Sequence, residues 1–428
     1  MRKIAFIALF GCFSACIYAQ TIREEIAQAP RRSASNYMAY PGPSKQLTPA
    51  PKGKKPFYIS HYGRHGSRFI INHRDYDYPV FTLRRADSLG KLTPLGRDIL
   101  QRLEMLRKDA YKRLGELTPL GAEQHRDIAH RMFKRFPEVF RGDVCVDAKS
   151  TVVIRCILSM ENALQELKAL NPKLRITHDA SEHDMYYMNL RDYKLRAKRM
   201  PKNSKKIYED YCLKYIDPKR PVELLFADTA YAANCVNLER LNYYIFKNAS
   251  IAQNTELRNK VTFYDFYNTD ELYVNWKKDN VYWYLTYGAS PQNGGTQPFS
   301  QRNLLRKMIQ EADSCIALPK PGATLRFGHE TMVMPLTCLL GLNGYDQQIE
   351  DVEQLEQRGW VNYRIFPMGA NIQFIFYRKN PQDKDVLFKV LLNEDEATLP
   401  IDTDCAPYYH WSDFRRQYLQ KLDNYHDE

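Results

Sequence analysis

Beyond its first twenty residues the chain has no run of about 18 uncharged apolar residues, the length a helix needs to cross a bilayer. It has no CxxC pair, which removes the zinc-ribbon and thioredoxin readings. It has no architectural repeat either; a Leu-Thr-Pro-Leu-Gly pentapeptide at 92–96 and 117–121 recurs without repeating its surroundings, and reads as a recurring cap. Acidic residues are in deficit, 50 against 62 Lys and Arg, giving a formal charge of +12. That balance suits an anionic partner, but nucleic acid, an acidic membrane surface and a phosphorylated metabolite would all satisfy it.

What is present begins with Met-Arg-Lys, an apolar run from Ile4 to Phe10, small residues, and Ala19-Gln20. This is the pattern of a signal peptide, residues 1–19, cleaved after Ala19. Its apolar part is too short for a span, so the mature protein is expected to be exported, periplasmic or secreted, with a charge of +10 once Arg2 and Lys3 are removed. The segments ending at Cys12 and Cys16 loosely resemble lipoprotein cleavage boxes, but neither has a good residue at every position; a lipid anchor is the lesser alternative. Seven cysteines follow (Cys145, Cys156, Cys212, Cys235, Cys315, Cys338, Cys405). An exported compartment permits disulfides; an odd count leaves at least one thiol unpaired, and spacing gives no connectivity.

At 428 residues the chain suits one core with a large insertion. Residues 20–52, rich in Pro, Ser, Ala and Gln, predict an extended leader wrapping the core. A β-favouring run at 56–60 stops at Gly63 and Gly66. Helices are predicted over 95–114 and 119–136, with Thr93 and Thr118 as N-caps and proline in the first turn. Further strands are expected at 143–147 and 151–154. An amphipathic helix at 158–170 opens a mainly helical region to residue 300, read as an inserted cap. A helix at 304–312, a buried strand at 323–328 and an apolar helix opened by His329-Glu330-Thr331 follow; then come strands at 371–377 and 386–392 and a C-terminal helix at 411–422. The expected fold is α/β, a central sheet flanked by helices, with core segments 53–157 and 301–428 and the cap at 158–300. The basic cluster at 191–206 reads as a solvated face.

The string Ser60-His61-Tyr62-Gly63-Arg64-His65-Gly66-Ser67-Arg68 sets two arginines around one histidine. A neutral imidazole is a good nucleophile toward phosphorus, and guanidinium forks bind phosphoryl oxygens. Gly66 would let the backbone approach closely. The bland alternative is a surface loop whose arginines pair with acids. His61 and His65 also stand four apart like zinc ligands, but Gly63 and Gly66 disfavour a helix there, and no third ligand has metal-site spacing.

This string resembles the signature of the histidine phosphatase superfamily, in its acid phosphatase branch, and the likeness extends along nearly the whole mature chain. Leu117-Thr118-Pro119-Leu120-Gly121 with Gln124 is similar to the family's Leu-Thr-x-x-Gly-x-x-Gln helix start. Arg155-Cys156 followed by Ser159 resembles the Arg-Cys-x-x-Ser segment of multiple inositol polyphosphate phosphatases, and 390–400 resembles the family's C-terminal strand and loop. His329-Glu330 stands where the family places a phosphate-binding histidine and then an acid. Most members show His-Asp there and the inositol polyphosphate phosphatases His-Ala-Glu, so His-Glu-Thr departs from both.

The resemblance implies His65 as nucleophile, Glu330 as general acid, and Arg64, Arg68, Arg155 and His329 as phosphate ligands. No metal, cofactor or nucleic-acid partner is expected. The substrate expected is a small phosphorylated anion such as inositol hexakisphosphate, with Glu330 protonated in the first step and activity at acid to neutral pH. The alternatives are a broad acid phosphatase acting on sugar phosphates or nucleotides, and an exported polyanion-binding protein without catalysis. Oligomeric state is not legible.

Overall fold

The computed structural model describes residues 22–215 and 219–426; the signal peptide expected at 1–19 lies outside them. A mixed eight-stranded sheet runs through the molecule: β1 (Lys55–Arg64), β2 (Cys145–Ser150), β3 (Arg175–Asp179), β4 (Gly322–Gly328), β5 (Asn371–Arg378), β6 (Leu387–Leu392), β7 (Asp395–Ala397) and β8 (Tyr409–His410). Their order is β3-β2-β4-β1-β5-β6-β7, with β8 also paired to β6. The first four in that order are mutually parallel, and β5 onward alternates in direction. The α/β class expected from the sequence is therefore the class observed.

The central strands are buried on both faces, as parallel strands covered by helices must be. Alternation divides their side chains between two cores. Tyr58, Tyr62, Phe374 and Phe376 face a layer that includes Met332, Trp411 and Phe414. Ile59, Val146, Ala148 and Ile375 face the helices Pro119–Arg135 and Ile154–Leu170. A third core joins the helices Arg74–Ser88, Pro94–Asp109, Leu238–Ala252 and Thr269–Tyr287 with Ile22 and Ile26.

Several local expectations change. β1 does not stop at Gly63 but continues to Arg64, carried by pairing with β4 on one side and β5 on the other. The two strands expected at 143–147 and 151–154 are one, β2, and Ile154 instead opens a helix; Arg155 thus stands in a helical first turn. β3 lies inside the segment 158–300, expected to be mainly helical, and completes one sheet edge. The leader is extended only in its second half. Residues 22–28 are helical, burying Ile22 and Ile26 four apart on one face, and a 3-10 helix spans Pro30–Tyr37.

Both pentapeptides do act as caps. Thr93 Oγ1 accepts from the amide of Gly96 and Thr118 Oγ1 from that of Gly121, each with proline in the first turn. Their glycines share a second duty, because a Cβ on Gly96 would stand 2.2 Å from the Leu225 carbonyl oxygen and one on Gly121 2.2 Å from that of Ser67. The second contact matters most. Ser67 follows His65 by two residues, and its carbonyl accepts from the Thr118 amide (2.9 Å) and hydroxyl (3.1 Å) while its own amide donates to Gln124 Oε1 (2.8 Å). Gly121→Ala should lower unfolding free energy by about 1–3 kcal/mol, read by chemical denaturation; an unchanged midpoint would show that this loop is not clamped.

Candidate active site

Three parallel strands, β2, β4 and β1, end side by side, the position where open α/β sheets bind ligands. Arg64 pairs in register with Gly328, and the His65 amide donates to the Gly328 carbonyl at 2.9 Å. The end of β1 therefore sets Arg64 and His65 against the end of β4, which continues into His329 and Glu330 at the start of the helix Glu330–Leu340. On the other side the Thr151 amide donates to the Phe327 carbonyl at 3.0 Å, fixing the turn that leads into Arg155. Gly328 is required at this junction, since a Cβ there would stand 2.0 Å from the Tyr62 hydroxyl. The structure brings all six residues expected from the sequence into one largely buried cluster.

The imidazole of His65 is buried, with Nδ1 2.8 Å from the Gly66 carbonyl. A carbonyl only accepts, so Nδ1 carries the proton and the lone pair is left on Nε2. That nitrogen lies 3.6 Å from Glu330 Oε2. Burial, opposed by Glu330 but reinforced by Arg64 and Arg155, holds the His65 pKa well below its ordinary value of 6.5. The ring is therefore neutral and able to attack at neutral pH. His329 meets it edge to face, ring centres 5.8 Å apart, and burial with the nearby arginines brings its pKa down to about 4.

Arg64 is fully buried. Its Nη1 donates to the carbonyls of Asn36 (2.6 Å) and Phe366 (2.8 Å), and its Nε lies 3.1 Å from Glu330 Oε2. Arg68 donates to the Phe69 carbonyl and lies over the Tyr37 ring at 5.4 Å. Arg64 Nη2, Arg68 Nε and Arg155 Nε are buried without a protein acceptor among the described residues. Burial and the other two guanidiniums push the Arg64 pKa down to about 10 despite Glu330. Three guanidiniums against one carboxylate leave two positive charges, the complement of a phosphate dianion.

Glu330 is expected to carry a proton in the first step; the free site favours its ionised form. Burial alone would raise its carboxyl, but the Arg64 guanidinium, with Arg68 beside it, outweighs that and holds it well below the ordinary 4.5. Without an anion it is a carboxylate.

Sequence reasoning missed several neighbours. Thr151 Oγ1 lies 3.2 Å from His329 Nε2, and the Cys156 thiol, which donates to the Gly328 carbonyl, lies 3.8 Å from both ring nitrogens. Cys156 stood in the resembling motif, but Thr151 carried no signal because the turn that aims it depends on the β2–β4 register. Within the cluster read as a solvated face, Arg199 behaves otherwise: it stacks on Tyr287 at 4.5 Å and its Nε is buried without an acceptor. The Tyr287 hydroxyl feels both Arg199 and Glu330.

His65, His329 and Glu330 offer metal-ligating atoms within 4.8 Å of one another, but three guanidiniums around them repel a divalent cation. His61 does not join them. It lies in β1 with its ring 5.3 Å from that of Phe327, and burial, aided by His125 and Arg326, takes its pKa down to about 3.

The charge surplus predicts opposite effects on binding of a tetrahedral oxyanion. Arg155→Ala should weaken inorganic phosphate and Glu330→Gln strengthen it, each by roughly ten- to hundredfold, in calorimetric titration at neutral pH. Weakening by both would show that Glu330 holds the anion instead of opposing it.

Comparisons with known proteins bear on the family and the fold. The family described as the histidine phosphatase superfamily (branch 2) matches residues 64–393. The multiple inositol polyphosphate phosphatase 1 of Dictyostelium discoideum is 28% identical over 110 residues, 25% of this chain; the match spans only 17% of that protein's length. Among solved structures, the Bifidobacterium longum multiple inositol polyphosphate phosphatase in complex with inositol hexasulfate superposes with a TM-score of 0.73 at 16% identity, covering 89% of this chain and 96% of the other. The D. castellii phytase gives 0.68 at 13% identity, covering 92% and 85%. These structural likenesses speak for the fold. With the family match spanning most of the chain, this protein belongs to branch 2 of the histidine phosphatase superfamily.

Proposed function

We propose that the protein is an exported phosphomonoesterase that hydrolyses inositol polyphosphates, inositol hexakisphosphate among them, through a phosphohistidine on His65. The observation that carries this reading is the neutral His65, its Nδ1 held by the Gly66 carbonyl and its Nε2 bare inside the arginine cluster.

In the first step Nε2 attacks phosphorus in line; the N–P bond forms as the P–O bond to the alcohol breaks, and Glu330 gives the leaving oxygen a proton. The guanidiniums and His329 hold the equatorial oxygens as charge spreads. Backbone amides at the start of the helix Glu330–Leu340 add to that field. In the second step water attacks the phosphohistidine, Glu330 takes its proton, and inorganic phosphate leaves with configuration at phosphorus retained.

The ionised Glu330 of the free site fits this sequence only if the substrate itself changes it. A bound phosphate sets negative charge against the same arginines that depress the carboxyl, and so raises its affinity for a proton as the ester binds.

Cations beyond the scissile phosphate support a multiply phosphorylated substrate. Tyr37, under Arg68, borders a cavity of about 180 Å³ that is also lined by Lys247, Lys278 and Asp279. Lys247 is paired with Asp75 at 2.6 Å, while Lys278 lies over the Tyr243 ring. Arg199 adds a third cation on the Tyr287 side. The relatives named for inositol polyphosphates and phytate support the same class. The N-terminal apolar run ending at Ala19 supports export, and among the described residues no helix is long and apolar enough to cross a membrane.

Turnover of inositol hexakisphosphate should exceed that of glucose 1-phosphate, and comparable rates would favour a broad acid phosphatase. His65→Ala should cost roughly three orders of magnitude in turnover or more; phytate binding with no phosphate release by the wild type would instead favour a binding protein. Because the folded His65 pKa is depressed, its neutral form persists as pH falls through 6.5. The kcat/KM profile should accordingly hold its value below pH 6.5, and an acid limb centred there would contradict the burial argument.

A further inference from the structure

At the other end of the sheet from the cleft, a second group of donor atoms converges. Asp404 and Cys405 lie in the loop between β7 and β8, and His410 lies on β8, paired in register with Leu387 of β6. His410 Nε2 stands 3.0 Å from Asp404 Oδ1 and 3.9 Å from Cys405 Sγ, and the three donors all lie within 4.8 Å of one another. The opposite ring nitrogen, Nδ1, is 2.8 Å from Asp385 Oδ1.

We propose that Asp404, Cys405 and His410 bind a zinc ion, with Asp385 orienting the imidazole from behind. A tetrahedral zinc with metal–nitrogen and metal–oxygen bonds near 2.0–2.1 Å and a metal–sulfur bond near 2.3 Å has N···O edges of about 3.3 Å and S···N edges of about 3.6 Å. The observed separations lie within a few tenths of an ångström of these. The donor set is one thiolate, one imidazole and one carboxylate, which suits zinc; calcium and magnesium take oxygen alone. The Asp385–His410 contact is the carboxylate–histidine pairing that fixes which ring nitrogen faces a metal.

The charge arrangement fits the same assignment. Lys54 pairs with both Asp383 (2.9 Å) and Asp385 (3.0 Å), the latter being the carboxylate behind the ring, so one negative charge of that pair is left over. Among the described residues, no lysine or arginine pairs with Asp404, whose exposed carboxylate meets the imidazole and lies near the thiol. Besides Asp404 and His410, the thiol meets Thr403 Oγ1 at 3.3 Å and the Tyr408 carbonyl at 3.4 Å, to which it donates. Three protein ligands leave a fourth position for water. The ion would staple the 398–408 loop to the sheet edge one residue before the helix Trp411–Asp423, whose first indole is already fixed by Asp313 at 2.8 Å. The site is separate from the catalytic cleft and does not depend on the function proposed for it.

The test uses the full mature protein, stripped with chelator and titrated with cobalt(II) and then zinc. One cobalt per chain should bind and give a thiolate-to-cobalt charge-transfer band that zinc displaces, and zinc should raise the melting midpoint. Cys405→Ala and His410→Gln should lose the band and the thermal shift. Cys156→Ala should keep the band, which separates this site from the thiol beside His329, and Cys405→Ala should leave phosphate release unchanged. No band in the wild type, a band that survives Cys405→Ala, or a midpoint indifferent to zinc would each overturn the assignment; His410 would then be an imidazolium clasped between Asp385 and Asp404. The wild-type titration needs no variant to fold.

Discussion

The buried charge of Arg64 is the constraint around which the rest is arranged. A guanidinium with no exposure is costly unless its donors find acceptors. Two of its contacts are carbonyls from distant parts of the chain, Asn36 in the leader and Phe366 before β5, and the third is the Glu330 carboxylate. Satisfying this one side chain ties the N-terminal segment, the second half of the core and the acid of the site to the end of β1. Arg64 Nη2, Arg68 Nε and Arg155 Nε have no protein acceptor among the described residues, so the fold leaves an unbalanced positive field at one point. That field depresses Glu330 and helps keep His65 neutral. An anion entering it relieves the repulsion among the arginines and at the same moment alters the protonation of the acid beside it.

The parallel pairing of β1 with β4 and of β4 with β2 explains how residues 64, 155 and 330 meet. Each reaches the cleft from the end of its own strand, and the registers Arg64 with Gly328 and Ser150 with Phe327 set their relative heights. The loop after His65 is held from below by the Thr118 cap, Gly121 and Gln124, and from the side by Ser159 Oγ, which accepts from the Gly66 amide at 3.1 Å. The nucleophile thus rests on a backbone loop that the side chains of Thr118, Gln124 and Ser159 hold in place.

Much of this was legible in the sequence. The Arg64–Arg68 string, the strand, turn and helix around His329, both threonine caps and the C-terminal strands are local signals, and the structure keeps them within a few residues. What was not legible depends on partners far along the chain. The β-branched stretch Thr151–Ile154 reads as a strand, yet it turns and enters a helix because the Phe327 carbonyl takes the Thr151 amide. β3 carries little alternation of its own and exists through pairing with β2. Arg199 is indistinguishable in sequence from its solvated neighbours until Tyr287 comes beneath it. The ionisation of Glu330 could not be read from its place in a motif, because it follows from how many guanidiniums surround it.

The central claim is that His65 carries the phosphoryl group between two steps, and rapid quenching of the enzyme with phosphate-labelled inositol hexakisphosphate tests it most directly. The account predicts a label stable in alkali and labile in acid, mapped to the peptide containing His65, absent from His65→Ala and formed before free phosphate appears. Phosphate release at full rate with no labelled enzyme at any time, or inversion of configuration at phosphorus, would mean that water attacks the ester directly and would contradict the account.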